Sequence, residues 1–242
     1  MSKDLEILIT NDDGIDSEGI RLLAQEARAF GKVTVVAPAS QCSGMSHHVT
    51  FDRDLELRRI DFEVDGVEAY TLDATPADCV RASFLGMARQ LPDVVLSGIN
   101  DGANVGCDIL YSGTIGAGME ALLYNVKTIC FSTMRGGTDE VTRHYLGPIL
   151  GELLDKPRID KELWNVNFPA CPLDECKGVL YDRVPDRKPL LDDFYETIPV
   201  GDDVFKIKLH TKLEESPEPG SDMDALYRGY VAIGTVRNLV MK

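Results

Sequence analysis

The sequence predicts an α/β fold built on a doubly wound, mostly parallel sheet, and three observations carry that expectation. A short apolar run, Leu5 to Ile9, ends at the polar cluster Thr10-Asn11-Asp12-Asp13-Gly14 and gives way to a segment with helical periodicity. A Val-rich run, Lys32 to Ala37, follows and stops at Pro38, completing a βαβ unit with a right-handed crossover. Farther on, Asp93 to Ser97 is short and apolar on both faces, the pattern of a strand buried in a parallel sheet.

The remaining elements follow from local chemistry. Ser17 is placed to cap a helix in which Ile20, Leu23, Ala24, Ala27 and Phe30 recur at helical spacing, ending near Gly31. Val49 to Leu72 alternates and turns at Asp65-Gly66, which reads as a hairpin excursion. Thr75 caps a helix with Pro76 at its first position, and Val80, Phe84, Met87 and Leu91 supply its buried stripe. A polar, Gly-rich loop spans Gly98 to Gly113, then Ile115 to Tyr124 is helical, Thr128 to Thr133 a strand, and Glu140 to Leu154 a helix. The chain up to about residue 135 is therefore the doubly wound unit. Beyond Pro157, Leu163 to Phe168 and Tyr230 to Val236 read as strands, whereas Val184 to Pro199 and Glu214 to Ser221 read as Pro- and charge-rich connections.

A chain of 242 residues can bury one sizeable core, so a single domain with an appendage is expected. Lys plus Arg number 25 against 40 Asp plus Glu, a net charge of -15 that disfavours nucleic acid or an anionic membrane as partner. Met1-Ser2-Lys3-Asp4 leads into the first strand without a secretory signal, and no apolar run approaches a membrane span, which predicts a soluble, cytoplasmic protein. The six cysteines contain no C-x-x-C pair and are expected as reduced thiols, with Cys79 and Cys130 in the core.

Chemistry concentrates in loops that share one edge of the sheet. Asn11-Asp12-Asp13-Gly14 follows the first strand, Gln41-Cys42-Ser43-Gly44 with Ser46-His47 the second, and Ser97-Gly98-Ile99-Asn100 a later one. Adjacent carboxylates repel, and a cation relieves the repulsion. Asp12, Asp13, the Ser43 hydroxyl and the Asn100 amide oxygen make a hard, all-oxygen set suited to Mg²⁺ or Mn²⁺, although Asn, Asp and Gly also make ordinary solvated turns. Tyr111-Ser112-Gly113-Thr114 leads into a helix whose free N–H groups favour phosphate, with Ser112 and Thr114 adding hydroxyls; a plain Gly-rich turn is the alternative. Neither a Walker A loop nor G-x-G-x-x-G is present.

Those segments, together with Ala37-Pro38, Thr75-Pro76 with Asp78-Cys79, and Gly102 and Asn104, resemble in order and spacing the SurE family, the stationary-phase survival proteins. Trp164-Asn165-Val166-Asn167-Phe168-Pro169 and Gly229-Tyr230-Val231 resemble its later strands. The resemblance implies a Rossmann-like core with an extended C-terminal arm exchanged between subunits of a homodimer or homotetramer. It implies a divalent-metal-dependent 5'-nucleotidase acting on nucleoside monophosphates, with 3'-monophosphates and polyphosphate as further substrates. On that footing Asp12, Asp13, Ser43 and Asn100 hold one Mg²⁺ or Mn²⁺ per subunit. Asn104, Ser112, Gly113 and Thr114 surround the phosphate, with Asn11 and Gly44 as further contacts.

The expected mechanism has a water attack the phosphorus in line, with Asp13 as the base and Asp12 as the firmer ligand. His47 either protonates the leaving alkoxide or makes a structural hydrogen bond beside the metal loop. A covalent aspartyl-phosphate phosphatase needs Asp-x-Asp, which the adjacent pair does not provide. A nucleotide- or metal-binding module without turnover stays open, because fold does not fix function.

Overall fold

The computed structural model describes residues 5–87 and 90–241. Strands and helices alternate through β1 (Leu5–Thr10), α1 (Glu18–Ala27), β2 (Gly31–Pro38), β3 (Leu57–Ile60), β4 (Glu68–Leu72), α2 (Pro76–Ala82), β5 (Val94–Asp101), α3 (Gly113–Leu123), β6 (Lys127–Thr133), α4 (Glu140–Asp155) and β7 (Glu162–Phe168). Then come β8 (Val179–Arg183), β9 (Leu191–Gly201), β10 (Val204–Leu213), α5 (Asp222–Tyr227) and β11 (Val231–Arg237).

Nine strands form one sheet in the order β3-β4-β2-β1-β5-β6-β7-β11-β8. From β4 to β7 all neighbours run parallel; β3 and β11 are antiparallel to β4 and β7. Alternate residues of each strand serve opposite layers. Ile7, Ile9, Val33, Val35, Leu96 and Phe131 pack with Ile20, Leu23, Leu146 and Leu150 of α1 and α4, while Leu8, Val36 and Val95 meet Val80, Ala117 and Ala121 of α2 and α3. The chain winds outward from β1 to β2 on one side and from β5 to β7 on the other, so the switch point lies between β1 and β5.

Helix starts match their caps. The Ser17 side chain accepts from the Ile20 N–H, and Thr75 with Asp78 forms a reciprocal capping box. All six cysteines are free, with Cys79 and Cys130 buried.

Several expectations need correction. The region around Asp65-Gly66 does connect two antiparallel strands, but Val49 to Glu56 is irregular, and β4 joins the main sheet beside β2 instead of standing apart. The helix begun at Pro76 gives way at Ser83 to a π turn ending at Met87, and Leu91 is 41% exposed, because the chain must swing out toward Pro92 and β5. Residues 88–89 of that predicted helix, like Met1 to Asp4, lie outside the described residues. β5 runs on through Asp101, so the loop is shorter than Gly98 to Gly113. Most of Val184 to Pro199 is not a connection: β9 and β10 pair antiparallel as a separate two-stranded ribbon. The strand β8 was not foreseen.

Candidate active site

The loops at the switch point are stitched by backbone and side-chain hydrogen bonds. The Cys42 N–H donates to the Asp12 carbonyl at 2.7 Å, which sets Ser43 beside the acidic pair. The Asp101 N–H donates to Asp13 Oδ2 at 2.8 Å, which brings the end of β5, and Asn100 with it, to the same pair. Ser46 reaches the loop before α3, its N–H to the Tyr111 carbonyl at 3.0 Å and its hydroxyl to the Leu110 carbonyl at 2.8 Å.

These ties leave a cavity of about 340 Å³ bordered by Asp12, Ser43, Gly44, Asn100, Asn104 and Ser112. Residues far apart in sequence thus meet at one place, and the cavity is of the size that small ligands occupy.

Asp12 is buried, and its carboxylate is tied to the start of α3. The Thr114 hydroxyl donates to Oδ1 at 2.7 Å and the Thr114 N–H to Oδ2 at 3.2 Å. Burial pushes the Asp12 carboxyl up to about 6; the Thr114 hydroxyl pulls it back, and the Asp13 charge pushes the same way as burial. Gly113 is required at this contact, since a Cβ there would lie 2.9 Å from Asp12 Cβ and 3.0 Å from its Oδ2.

Other predicted residues fall into distinct positions. Asp13 is half-buried and borders the adjoining cavity with Ile99 and Asp101. Asn11 is fully buried, its amide nitrogen donating to the Gly14 carbonyl at 2.9 Å and to Ser17 Oγ at 2.8 Å, so it shapes the turn that presents Asp12 and Asp13. The Asn104 N–H donates to Asn167 Oδ1 and its amide nitrogen to Ser132 Oγ, both at 2.8 Å, which anchors it to β6 and β7. The Ser112 hydroxyl accepts from the Ile115 N–H at 3.1 Å and so also caps α3. His47 Nε2 lies 2.8 Å from Glu120 Oε2, and Arg81 meets Glu120 Oε1 at 3.1 Å.

The donor chemistry fits a hard divalent cation. Asp12, Ser43 and Asn100, all oxygen-bearing, border one cavity, and the Asn100 amide nitrogen is occupied by the Gly102 carbonyl at 2.7 Å, leaving Oδ1 as acceptor. Among the described residues no group of three His, Cys, Asp or Glu side chains is arranged to hold a metal, so a zinc-type cluster is not an alternative there.

Sequence reasoning missed part of this cavity. Arg135 borders it from just beyond β6, the next strand along the same edge, and that topological position was the available signal. Leu190, Leu191 and Leu213 border it from the foot of the β9–β10 ribbon, which carried no such signal.

A sequence model of the family described as "Survival protein SurE" matches residues 7–189. A protein named "5'-nucleotidase SurE" from Aeromonas hydrophila is 34% identical over 230 residues, covering 95% of this chain and 90% of that one. Its namesake from Vibrio vulnificus strain CMCP6 is 35% identical over 233 residues, covering 96% and 89%. The crystal structure of SurE from Aquifex aeolicus superposes with a TM-score of 0.80 at 32% identity, over 97% of this chain and 94% of that one.

Proposed function

The chain belongs to the SurE family, and from that premise we propose that it is a 5'-nucleotidase, hydrolysing nucleoside 5'-monophosphates to nucleoside and phosphate with the help of one Mg²⁺ or Mn²⁺ ion. The observation that supports this best is the convergence of Asp12, Ser43 and Asn100 with Asn104 and Ser112 on one cavity at the switch point. Nucleoside 3'-monophosphates and polyphosphate present the same terminal phosphoryl group and are proposed as secondary substrates.

Asp12, Asp13, Ser43 and Asn100 would hold the ion, which when bound withdraws charge from a phosphate oxygen and lowers the pKa of a water. Asp12 keeps a single orientation because Thr114 grips both its oxygens. Asp13, steadied by the Asp101 N–H, orients the attacking water and takes its proton. Asn104 and Ser112 supply donors to the phosphate, and the Arg135 guanidinium offsets charge at the same cavity. His47 serves as a positioning residue for the Ser43 loop through its contact with Glu120.

The β9–β10 ribbon supports assembly as a homodimer or homotetramer. Phe194, Tyr195, Val204, Phe205, Ile207 and Leu209 are all exposed on it, and a lone two-stranded ribbon is marginal in water until something covers it. A cytoplasmic location belongs to the same proposal; among the described residues no helix is long and apolar enough to cross a membrane.

The test is release of inorganic phosphate from AMP with Mn²⁺ or Mg²⁺. Release that stops with a chelator and returns with added ion supports the reading. Binding of AMP without release identifies a non-catalytic module instead.

A further inference from the structure

The lining of the candidate cavity is chemically mixed. Asp12, Ser43, Asn100 and Asn104 contribute polar side chains, and Leu190, Leu191, Leu213 and Tyr111 contribute apolar surface. Leu191, Leu213 and Tyr111 are 44%, 55% and 66% exposed, so apolar surface faces solvent directly beside a polar site. Apolar surface in such a place serves a ligand with an apolar part.

The wall is held in place. Leu191 and Leu213 are directly paired across the first rung of the ribbon, so their side chains share one face. The Asp108 carboxylate accepts from the Leu190 N–H at 2.8 Å and the Leu191 N–H at 3.1 Å. The Cys107 N–H donates to the Lys188 carbonyl at 3.1 Å, and the Glu214 N–H to the Leu190 carbonyl at 3.0 Å. Gly106 lets the two segments touch, because a Cβ there would strike the Lys188 carbonyl. The loop that ends at Ser112 and the foot of the ribbon are thereby one rigid unit.

We infer that the foot of the ribbon is the nucleobase wall of the site: Leu190, Leu191 and Leu213, together with Tyr111, carry the aromatic base of a nucleoside monophosphate whose phosphate lies against the polar lining. This inference rests on the nucleotidase reading and adds the part of the substrate that the apolar lining reads. The wall's side chains offer a flat apolar contact and no base-edge hydrogen bonds apart from the Tyr111 hydroxyl. It therefore distinguishes a base from no base strongly and one base from another weakly, with the larger purines favoured over pyrimidines.

The test compares AMP with ribose 5-phosphate, which keeps the phosphate and sugar and lacks the base. Binding of each is measured by calorimetry with the divalent ion present, and phosphate release is followed separately. Leu191→Ser and Leu213→Ser change exposed positions, and each lowers the AMP to ribose 5-phosphate affinity ratio by about tenfold, the scale of a lost apolar contact in a pocket. Val200→Ser, on the same ribbon, 57% exposed and outside the residues assigned to assembly, keeps the wild-type ratio and separates the wall from any effect of the ribbon as a whole.

A wild type that does not prefer AMP, or binds neither compound, overturns the inference. So does an unchanged ratio in both wall variants, or an equal fall in Val200→Ser. If AMP is preferred but no phosphate is released, the hydrolytic reading fails and the wall stands. Equal binding and release from both compounds leaves hydrolysis standing and removes the wall.

Discussion

His47 Nε2 sits 2.8 Å from Glu120 Oε2, and the Glu120 side chain is only 2% exposed, so the imidazole of the Ser43 loop is moored to a buried carboxylate of α3. Arg81 meets the other oxygen of Glu120 at 3.1 Å and balances its charge. This geometry favours the positioning role over leaving-group protonation. His47→Ala and Glu120→Gln are each expected to slow phosphate release by about tenfold, typical of groups supporting a metal loop. The loss should be equal for p-nitrophenyl phosphate and AMP; a loss confined to AMP, the poorer leaving group, would restore His47 as the acid.

Asp12 is the ligand on which the proposed metal site depends. Asp12→Asn should abolish both Mn²⁺ binding in a calorimetric titration and phosphate release. Retention of wild-type turnover would refute the assignment.

Thr114→Val keeps the shape and the N–H of residue 114 but removes the hydroxyl that meets Asp12 at 2.7 Å. With the carboxylate freed to turn, Mn²⁺ affinity should weaken by about tenfold while thermal unfolding shifts little. Calorimetry and a melting curve on the same sample check both halves.

Gly113→Ala places a methyl 2.9 Å from Asp12 Cβ, at the packed mouth of the sheet. Overpacking of this kind costs about 1–3 kcal/mol, and here the side chain that must give way is Asp12 itself. Denaturant unfolding should show the modest stability loss, and phosphate release should fall far more than stability does.

Asp222 makes stability depend on pH. Burial pushes its carboxyl up to about 6 despite hydrogen bonds from the Asp186, Gly106 and Met223 N–H groups. The folded state therefore holds this proton more tightly than the unfolded chain. The stabilisation is full below about pH 4 and is lost as pH rises through 6, amounting to no more than about 3 kcal/mol. Neighbouring Asp186 behaves oppositely. Burial acts to raise its pKa, yet hydrogen bonds from the Lys188 N–H, Ser221 hydroxyl and Glu218 N–H bring it below the usual range, so its contribution is lost only on stronger acidification. Urea unfolding from pH 4 to 7 should show wild type weakening relative to Asp222→Asn, and parallel profiles would refute the shift.

Much of the sheet was legible because local signals and burial agree there. Within the runs Leu5 to Ile9 and Asp93 to Ser97, Ile7 to Ile9 and Val94 to Ser97 are buried on both faces. Thr75 ahead of Pro76 announced its cap, whereas the reciprocal bond from Asp78 was not read from the sequence. The βα loops could be assigned to one edge without coordinates, because parallel strands place their ends together. The ribbon was not legible: Asp192, Asp193, Glu196 and Pro199 interrupt its apolar alternation, and its strands pair with each other away from the main sheet, so its residues face solvent. The helix stripe through Leu91 failed for a different reason, since spacing cannot register where a helix loosens into a π turn. Asn11 shows what spacing leaves open at a site: its amide nitrogen holds the turn through Gly14 and Ser17, a role its place in the motif did not announce.

Leu191 and Leu213 are at once the first rung of the ribbon and part of the cavity's border. The ribbon is thereby tied at its foot to the place where a small molecule would rest. Where a grip on the ribbon and occupancy of the cavity favour the same placement of that foot, each strengthens the other by one and the same coupling free energy. Subunit association and ligand affinity would then rise and fall together, and dilution of the protein would loosen both.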